Sequence, residues 1–348
     1  MLKSFVTRLN EGQELDSTDI AAASELLLDE NASVADKSTF LRALSAKGET
    51  SAEIAGFVEA FLTHAVDPLI HPGDEKINAP MVDVCGTGGD KLDLFNVSTA
   101  SIFVLAAGGA CVVKHGNRGI TSKSGSSDVL QALGVPIDLQ PEAFADAIHS
   151  TGVAFLFAPH YHPAFKAVVP VRTELAKEGV RTVFNLIGPL LNPCRPDFQL
   201  VGVFDETLVP AFAEILKKLG RKRAWAVHGK TSDGRGMDEI STLAPSRICE
   251  SSADKDGVSE STFDPAELGL QPARLEDLQG GDAKENAAIL EGILSGKDTG
   301  PRRDIVALNA AATLVVTGLA SDIPSGFEKA TALLQNGAAF EKLEAARR

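Results

Sequence analysis

The chain has 348 residues, 44% of them hydrophobic and 23% charged, with a net charge of −14. That is a folded globular composition, long enough for one large domain or two, and its acidity argues against a nucleic-acid backbone as the main partner. Four widely spaced cysteines (Cys85, Cys111, Cys194, Cys249) with no C-x-x-C pair read as buried free thiols in a reducing cytoplasm rather than as metal ligands.

Residues 1–66 read as helices only. Leu2, Phe5, Val6 and Leu9 recur at helical spacing, and residues 26–28 and then Phe40, Leu41 and Leu44 mark two more helices. Thr50-x-x-Glu53 predicts a capping box, with Ile54, Phe57, Val58, Phe61 and Leu62 on one face. The start of the chain has acids and no long apolar run, so a signal peptide is not expected. No apolar run reaches about 18 residues, so no membrane span is expected either. Asp67-Pro68 and His71-Pro72-Gly73 break the pattern near residue 70.

Strands and helices then alternate. Strands are predicted at 82–85, 110–113, 153–157, 200–204 and 224–227, and helices at 99–107, 127–133, 141–149 and 210–219. The alternation predicts an α/β domain with a largely parallel central sheet flanked by helices. Residues 162–188 interrupt it: Pro163, Pro170 and Pro189 punctuate helix-like pieces that can pack back onto the N-terminal helices. Residues 245–281 are polar and give no assignable element. Residues 304–316 and 327–343 read as closing helices.

The stretch 83–128 concentrates the chemistry. Gly86, Gly88 and Gly89 follow a strand end, where glycine lets backbone N–H groups approach a ligand. Asn96, Ser98 and Thr99 open a helix, whose N-terminus favours anions. A second strand end leads to Lys114-His115-Gly116-Asn117-Arg118, and Ser122, Ser124 and Ser126 precede another helix. Two helix N-termini beside lysines predict a site for more than one phosphate. GTGGD (86–90) is neither a dinucleotide fingerprint nor a P-loop. His115, His160 and His162 form no metal motif. Asp238-Glu239, after a glycine-rich loop, suits a hard cation such as Mg²⁺ or is a solvated acidic turn.

Taken together, these residues resemble the anthranilate phosphoribosyltransferases, a glycosyltransferase family related to pyrimidine nucleoside phosphorylases. The resemblance runs in order through GTGGD (86–90), FNVSTA (95–100), KHGNR (114–118), SKSGSSDVLQALG (122–134), FAPHYHPAFK (157–166), PVR (170–172), RTVFNLIGPLLNP (181–193), GMDEIS (236–241), GGDAKENA (280–287) and RDIVALNAAA (303–312). It implies a small helical, dimer-forming domain (1–70 plus about 162–188) and a large α/β domain (71–161 plus 189–348). It also implies transfer of phosphoribose from phosphoribosyl pyrophosphate (PRPP) to anthranilate, with Mg²⁺, in tryptophan biosynthesis.

By the resemblance, Gly86, Gly89, Asp90, Asn96, Ser98, Thr99, Lys114, Ser122 and Ser126 line the PRPP site. Ser98, Asp238 and Glu239 hold Mg²⁺. Gly86, His115, Asn117 and Arg172 take the anthranilate side. No acid, base or nucleophile is assigned. The chain departs from the family pattern at Leu94, where a threonine is common, and in carrying about three more residues after Arg172. A different acceptor on the same fold (another aromatic amine, or a pyrimidine nucleoside) and a non-catalytic nucleic-acid-binding relative remain alternatives.

Overall fold

The computed structural model describes residues 2–119, 123–270 and 273–348. The chain divides into two compact units, 1–66 with 159–193, and 67–158 with 194–348.

The first unit is helical. Helices Leu2–Asn10, Ser17–Leu28, Val34–Lys47 and Ser51–Leu62 precede a 3₁₀ turn at Pro163–Val168 and the helix Val169–Lys177. The helix at 51 starts where its capping box says it should: Thr50 Oγ1 accepts from Glu53 N, and Glu53 reaches back to Thr50 N. Glu53 also accepts from Leu15 N and from Lys47 Nζ, so its buried carboxylate is fully engaged. Phe5, Phe40, Phe57, Phe61, Phe165 and Phe184 form one chain of ring contacts through the unit. The later segment is tied in by the Val66 N–H on Tyr161 O and by buried Lys37, whose Nζ donates to Asp29 O and Ala167 O. His162 is structural: Nε2 meets Leu191 O at 2.8 Å, and burial pushes its pKa down to about 4.

The second unit is built on one sheet. Its strands are β1 (Met81–Gly86), β2 (Cys111–Gly116), β3 (Val153–Phe157), β4 (Phe198–Gly202), β5 (Arg223–Lys230), β6 (Gly236–Met237), β7 (Ser246–Ser252) and β8 (Val258–Phe263). The order is β3-β2-β1-β4-β5-β7-β8, with β6 paired to β5. The first five strands run parallel, and β7 and β8 continue the sheet antiparallel. The inner strands are near-continuous apolar runs because helices cover the sheet. Helix Val97–Ala107 is apolar all round and almost wholly buried, as is most of Pro301–Val316.

Three segments differ from the sequence expectation. The polar stretch 245–281 contains β7 and β8. Strand β8 is an edge strand with four consecutive exposed residues, so it carries charge and serine instead of an apolar alternation. The predicted helix 327–343 is two helices, Ile323–Gln335 and Ala338–Ala346, broken at Gly337 with φ of 82°. Helix Ala283–Leu294, capped by Asp282, had no predicted counterpart.

The strand order fixes where a ligand can sit. From β1 the chain winds outward through β2 and β3, and on the other side through β4 and β5. The reversal lies between β1 and β4, and ligands in open parallel sheets bind beyond the strand C-termini at that point.

Candidate active site

The GTGGD loop lies at this reversal. Gly86 ends β1 opposite Gly202, which ends β4. The Thr87 N–H donates to Gly202 O at 2.9 Å, and Thr87 Oγ1 accepts from Phe204 N. Gly88 and Gly89 have φ of 70° and 91°, the left-handed region where a side chain is strained. A Cβ on Gly89 would touch the Phe204 ring. Asp90 Oδ1 accepts from Leu92 N.

Asp238 and Glu239 come to the same place from the end of the β5–β6 hairpin. Asp238 Oδ2 accepts from Gly88 N at 2.8 Å, and Glu239 Oε1 accepts from Ser98 N at 3.2 Å. These bonds rule out the solvated acidic turn; Glu239 is only 8% exposed. Three strand-end glycines make the approach possible. A Cβ on Gly86 would run into the Asp238 carboxylate, one on Gly202 into the Asp238 main-chain carbonyl, and one on Gly229 into the Glu239 carbonyl and Ser241. Asn309, wholly buried in helix Pro301–Val316, then clamps the next peptide: Oδ1 accepts from Ile240 N and Nδ2 donates to Ile240 O, both at 2.9 Å.

The electrostatics follow from this crowding. Burial, with the Asp90 carboxylate beside it, raises the Asp238 pKa to about 7. Burial and then Asp238 raise Glu239 well above its ordinary value, against the pull of Lys114. Lys114 is itself buried, its Nζ donating to Val84 O at 2.7 Å and to Ser98 Oγ at 3.3 Å. A pair of carboxylates held together against their own repulsion is a donor set that a hard divalent cation relieves. Among the described residues no three His, Cys, Asp or Glu side chains converge as a metal cage. Mg²⁺ needs only one or two carboxylates when phosphates and water complete its shell, so the residues present fit that ion.

The remaining predicted residues are spread more widely. Asn96 is the N-cap of helix Val97–Ala107 but makes no side-chain cap bond; its Nδ2 donates to Ser124 O. Thr99 turns its hydroxyl inward, where Oγ1 has no partner among the described residues. Its main chain, not its hydroxyl, is therefore what it can offer a ligand. Buried His115 donates its main-chain N–H to Asp83 Oδ1. Exposed Asn117 binds Arg118 N through Oδ1, and its carbonyl accepts from Ser126 Oγ. Ser122 lies outside the described residues.

The second helix N-terminus differs from the expectation of a free anion site. Asp128 Oδ2 accepts from both Gly119 N and Gly125 N, and Asn117 O accepts from Ser127 N. Arg118 closes the loop on Asp128 at 2.9 Å and on Gln131, so it organises the loop. Leu94, in the place of a common threonine, bridges Gln279 and packs against the core. Arg172 belongs to the helical unit. Its guanidinium lies 5.7 Å from the Phe184 ring centre, has no carboxylate partner among the described residues, and its pKa is lowered by burial.

Gly202, Gly229 and Asn309 escaped sequence reasoning. The available signals were a glycine at the end of an apolar strand and a lone Asn in an otherwise apolar helix, which must find buried partners.

Comparison with known proteins identifies the family. The helical bundle domain of the glycosyl transferase family matches residues 3–65, and that family's α/β domain matches 78–340. An anthranilate phosphoribosyltransferase of Haloferax volcanii is 43% identical over 346 residues, 99% of each chain. This chain belongs to the anthranilate phosphoribosyltransferase family. Among solved members of the family, the crystal structure from Thermus thermophilus has a TM-score of 0.87 at 38% identity, covering 98% of both chains. The Saccharomyces cerevisiae family member in complex with PRPP and Mg has a TM-score of 0.84 at 28% identity, covering 99% of this chain and 96% of that one. The same yeast protein is also known in complex with 4-fluoroanthranilate.

Proposed function

We propose that the protein transfers the phosphoribosyl group of PRPP to anthranilate, releasing pyrophosphate, as a step of tryptophan biosynthesis. The observation that carries this reading is the seating of Asp238 and Glu239 on the Gly88 and Ser98 amides at the β1–β4 reversal. Adjacent carboxylates, glycine amides and a buried lysine in one crevice suit a pyrophosphate-bearing substrate with its cation. Mg²⁺, held by Asp238, Glu239 and Ser98, supplies neutralisation of the pyrophosphate charge.

The chain's own groups do the rest. Gly86, Gly89, Asp90, Asn96, Ser98, Thr99, Lys114, Ser122 and Ser126 form the proposed PRPP site. Lys114 and the loop amides stabilise negative charge as the bond from ribose C1 to pyrophosphate breaks and the electron pair leaves with pyrophosphate. The anthranilate amine forms the new bond at C1 and passes its proton to solvent. It is already nucleophilic, so no side chain has to be a nucleophile. Arg172 pairs with the anthranilate carboxylate, and Gly86, His115 and Asn117 complete the acceptor side. A half-buried arginine without a carboxylate partner among the described residues supports that role.

The direct test is loss of anthranilate fluorescence on adding PRPP and Mg²⁺. Turnover of pyrimidine nucleosides with phosphate, and none of anthranilate, would replace this reading with the related one. Arg172→Ala is expected to raise the KM for anthranilate about 10- to 100-fold, the worth of a charged hydrogen-bonded pair, with the KM for PRPP little changed. Steady-state kinetics with each substrate varied in turn checks this.

The raised carboxyl pKa values set a pH dependence. Below its pKa of about 7 Asp238 holds a proton that a cation must displace. The Mg²⁺ concentration for half-maximal rate is therefore expected to fall as the pH rises from about 6 to about 8. A half-saturation that is flat across that range counts against Asp238 as a ligand.

Homodimerisation is part of the proposal and is checked by light scattering against a chain mass of 36.5 kDa. None of the four cysteines is in a disulfide, which supports a reducing, cytoplasmic location. No helix among the described residues is long and apolar enough to cross a membrane.

A further inference from the structure

Asn286 stands outside every residue set assigned above. It lies in the first turn of helix Ala283–Leu294 and is 2% exposed. Its Oδ1 accepts from Gly281 N at 2.8 Å, and its Nδ2 donates to Asn96 Oδ1 at 2.9 Å. Asn96 Nδ2 in turn donates to Ser124 O at 3.3 Å. A backbone N–H can only donate and a carbonyl can only accept, so the two ends of this relay fix the orientation of both amides between them.

The relay also explains the missing cap. An Asn at an N-cap ordinarily turns its side-chain oxygen to the helix's own first-turn N–H groups. Here that oxygen is drawn to Asn286, so Asn96 makes no cap bond to helix Val97–Ala107, whose Ser98 N–H goes to Glu239 instead. The supporting frame is backbone. Phe95 N donates to Leu278 O, Gly280 N donates to Asp93 O, and a Cβ on Gly280 would lie 2.7 Å from Phe95 Cα. The Gly280-Gly281 turn is thus pressed against the segment that leads into Asn96.

We infer that Asn286 is a positioning residue for the PRPP site: it orients the Asn96 amide, keeps it off the helix N-terminus, and through it holds the main chain at Ser124. This rests on the functional reading above, in which Asn96 and the adjoining helix N-terminus receive PRPP. Asn286→Asp keeps the acceptor for Gly281 N and removes the donor to Asn96, placing two oxygens face to face.

The test is a double-mutant cycle read by calorimetric titration of PRPP in Mg²⁺, with wild type, Asn286→Asp, Asn96→Ala and the double variant. Each single variant is expected to weaken PRPP binding about tenfold or more, and the double variant no further than the weaker single. The KM for anthranilate is expected to stay near wild type. Melting curves verify folding; should Asn286→Asp not melt cooperatively, Asn286→Ser removes the same donor and takes its place in the cycle. Unchanged PRPP affinity in the Asn286 variant, or fully additive losses, overturns the inference alone. A wild-type protein that takes up no PRPP overturns the functional reading and this inference together.

Discussion

Replacing Asp238 by Asn and Glu239 by Gln together is expected to lower turnover about 10³-fold or more, while the melting temperature at neutral pH stays equal or rises. The two halves of this expectation have one cause. Burial raises both carboxyl pKa values, with Asp90 repelling Asp238, which reaches about 7, and Asp238 repelling Glu239. A carboxyl whose folded pKa is raised contributes stability that is fully present below the unfolded value and is lost as pH rises through the folded one. As the pH rises through neutrality, therefore, the Asp238 carboxyl group stops stabilising the empty fold, and ionisation of Glu239 acts in the same direction. Neutral amides remove the repulsion and keep an oxygen for the Gly88 and Ser98 amides. What they remove is the charge that holds a divalent cation. Near-normal anthranilate consumption by the double variant at limiting Mg²⁺ would sink the metal assignment, and a collapsed melting curve would show that the carboxylates are structural.

Gly202→Ala is the second large effect. Added at the end of β4, the methyl group meets the carbonyl of Asp238, which is backbone and cannot rotate away. The segment 238–241 is pinned at its far side by Asn309 on Ile240, Ser246 on Ser241 N, and Ser241 on Lys230 O. It must shift as a unit or β4 must. The expected cost is about 1–3 kcal/mol, typical of overpacking, and kcat/KM falls about 10²-fold, since a displacement near 1 Å is enough for that. Denaturant midpoints and steady-state rates measure the two effects separately. Gly292→Ala is the control: it lies inside helix Ala283–Leu294 with open space around the new methyl. There the expected change is about 0.5–1 kcal/mol of added stability from helix propensity and no change in kcat/KM. A Gly202→Ala protein with wild-type kcat/KM would show that the approach of Asp238 to β4 does not matter for catalysis.

Much of the fold was legible because its signals are local. The capping box at Thr50 and Glu53, the apolar stripe that follows, and the strand ends before GTGGD and KHGNR are set by neighbours in sequence. The edge of the sheet was not legible. Strand β8 faces solvent along most of its length, so burial imposes no alternation on its residues. The break at Gly337 was missed because apolar spacing continues across it, and only the backbone conformation shows that the helix stops.

The site divides along the same line. The sequence by itself determined the residue types of the anion-binding stretch 83–128 and the presence of adjacent carboxylates at 238–239. It also determined the alternation that makes a parallel sheet, because each of these depends on residues within a few positions of one another. Only the tertiary structure decided that Asp238 reaches Gly88 across 150 positions, that the β1–β4 reversal is where they meet, and that Gly202 and Gly229 clear the way. Likewise it decided that the Asn96 amide answers to Asn286 rather than to its own helix. These are close approaches between distant segments, governed by excluded volume and by the need of buried polar groups for partners. Neither condition leaves a periodic mark on the chain.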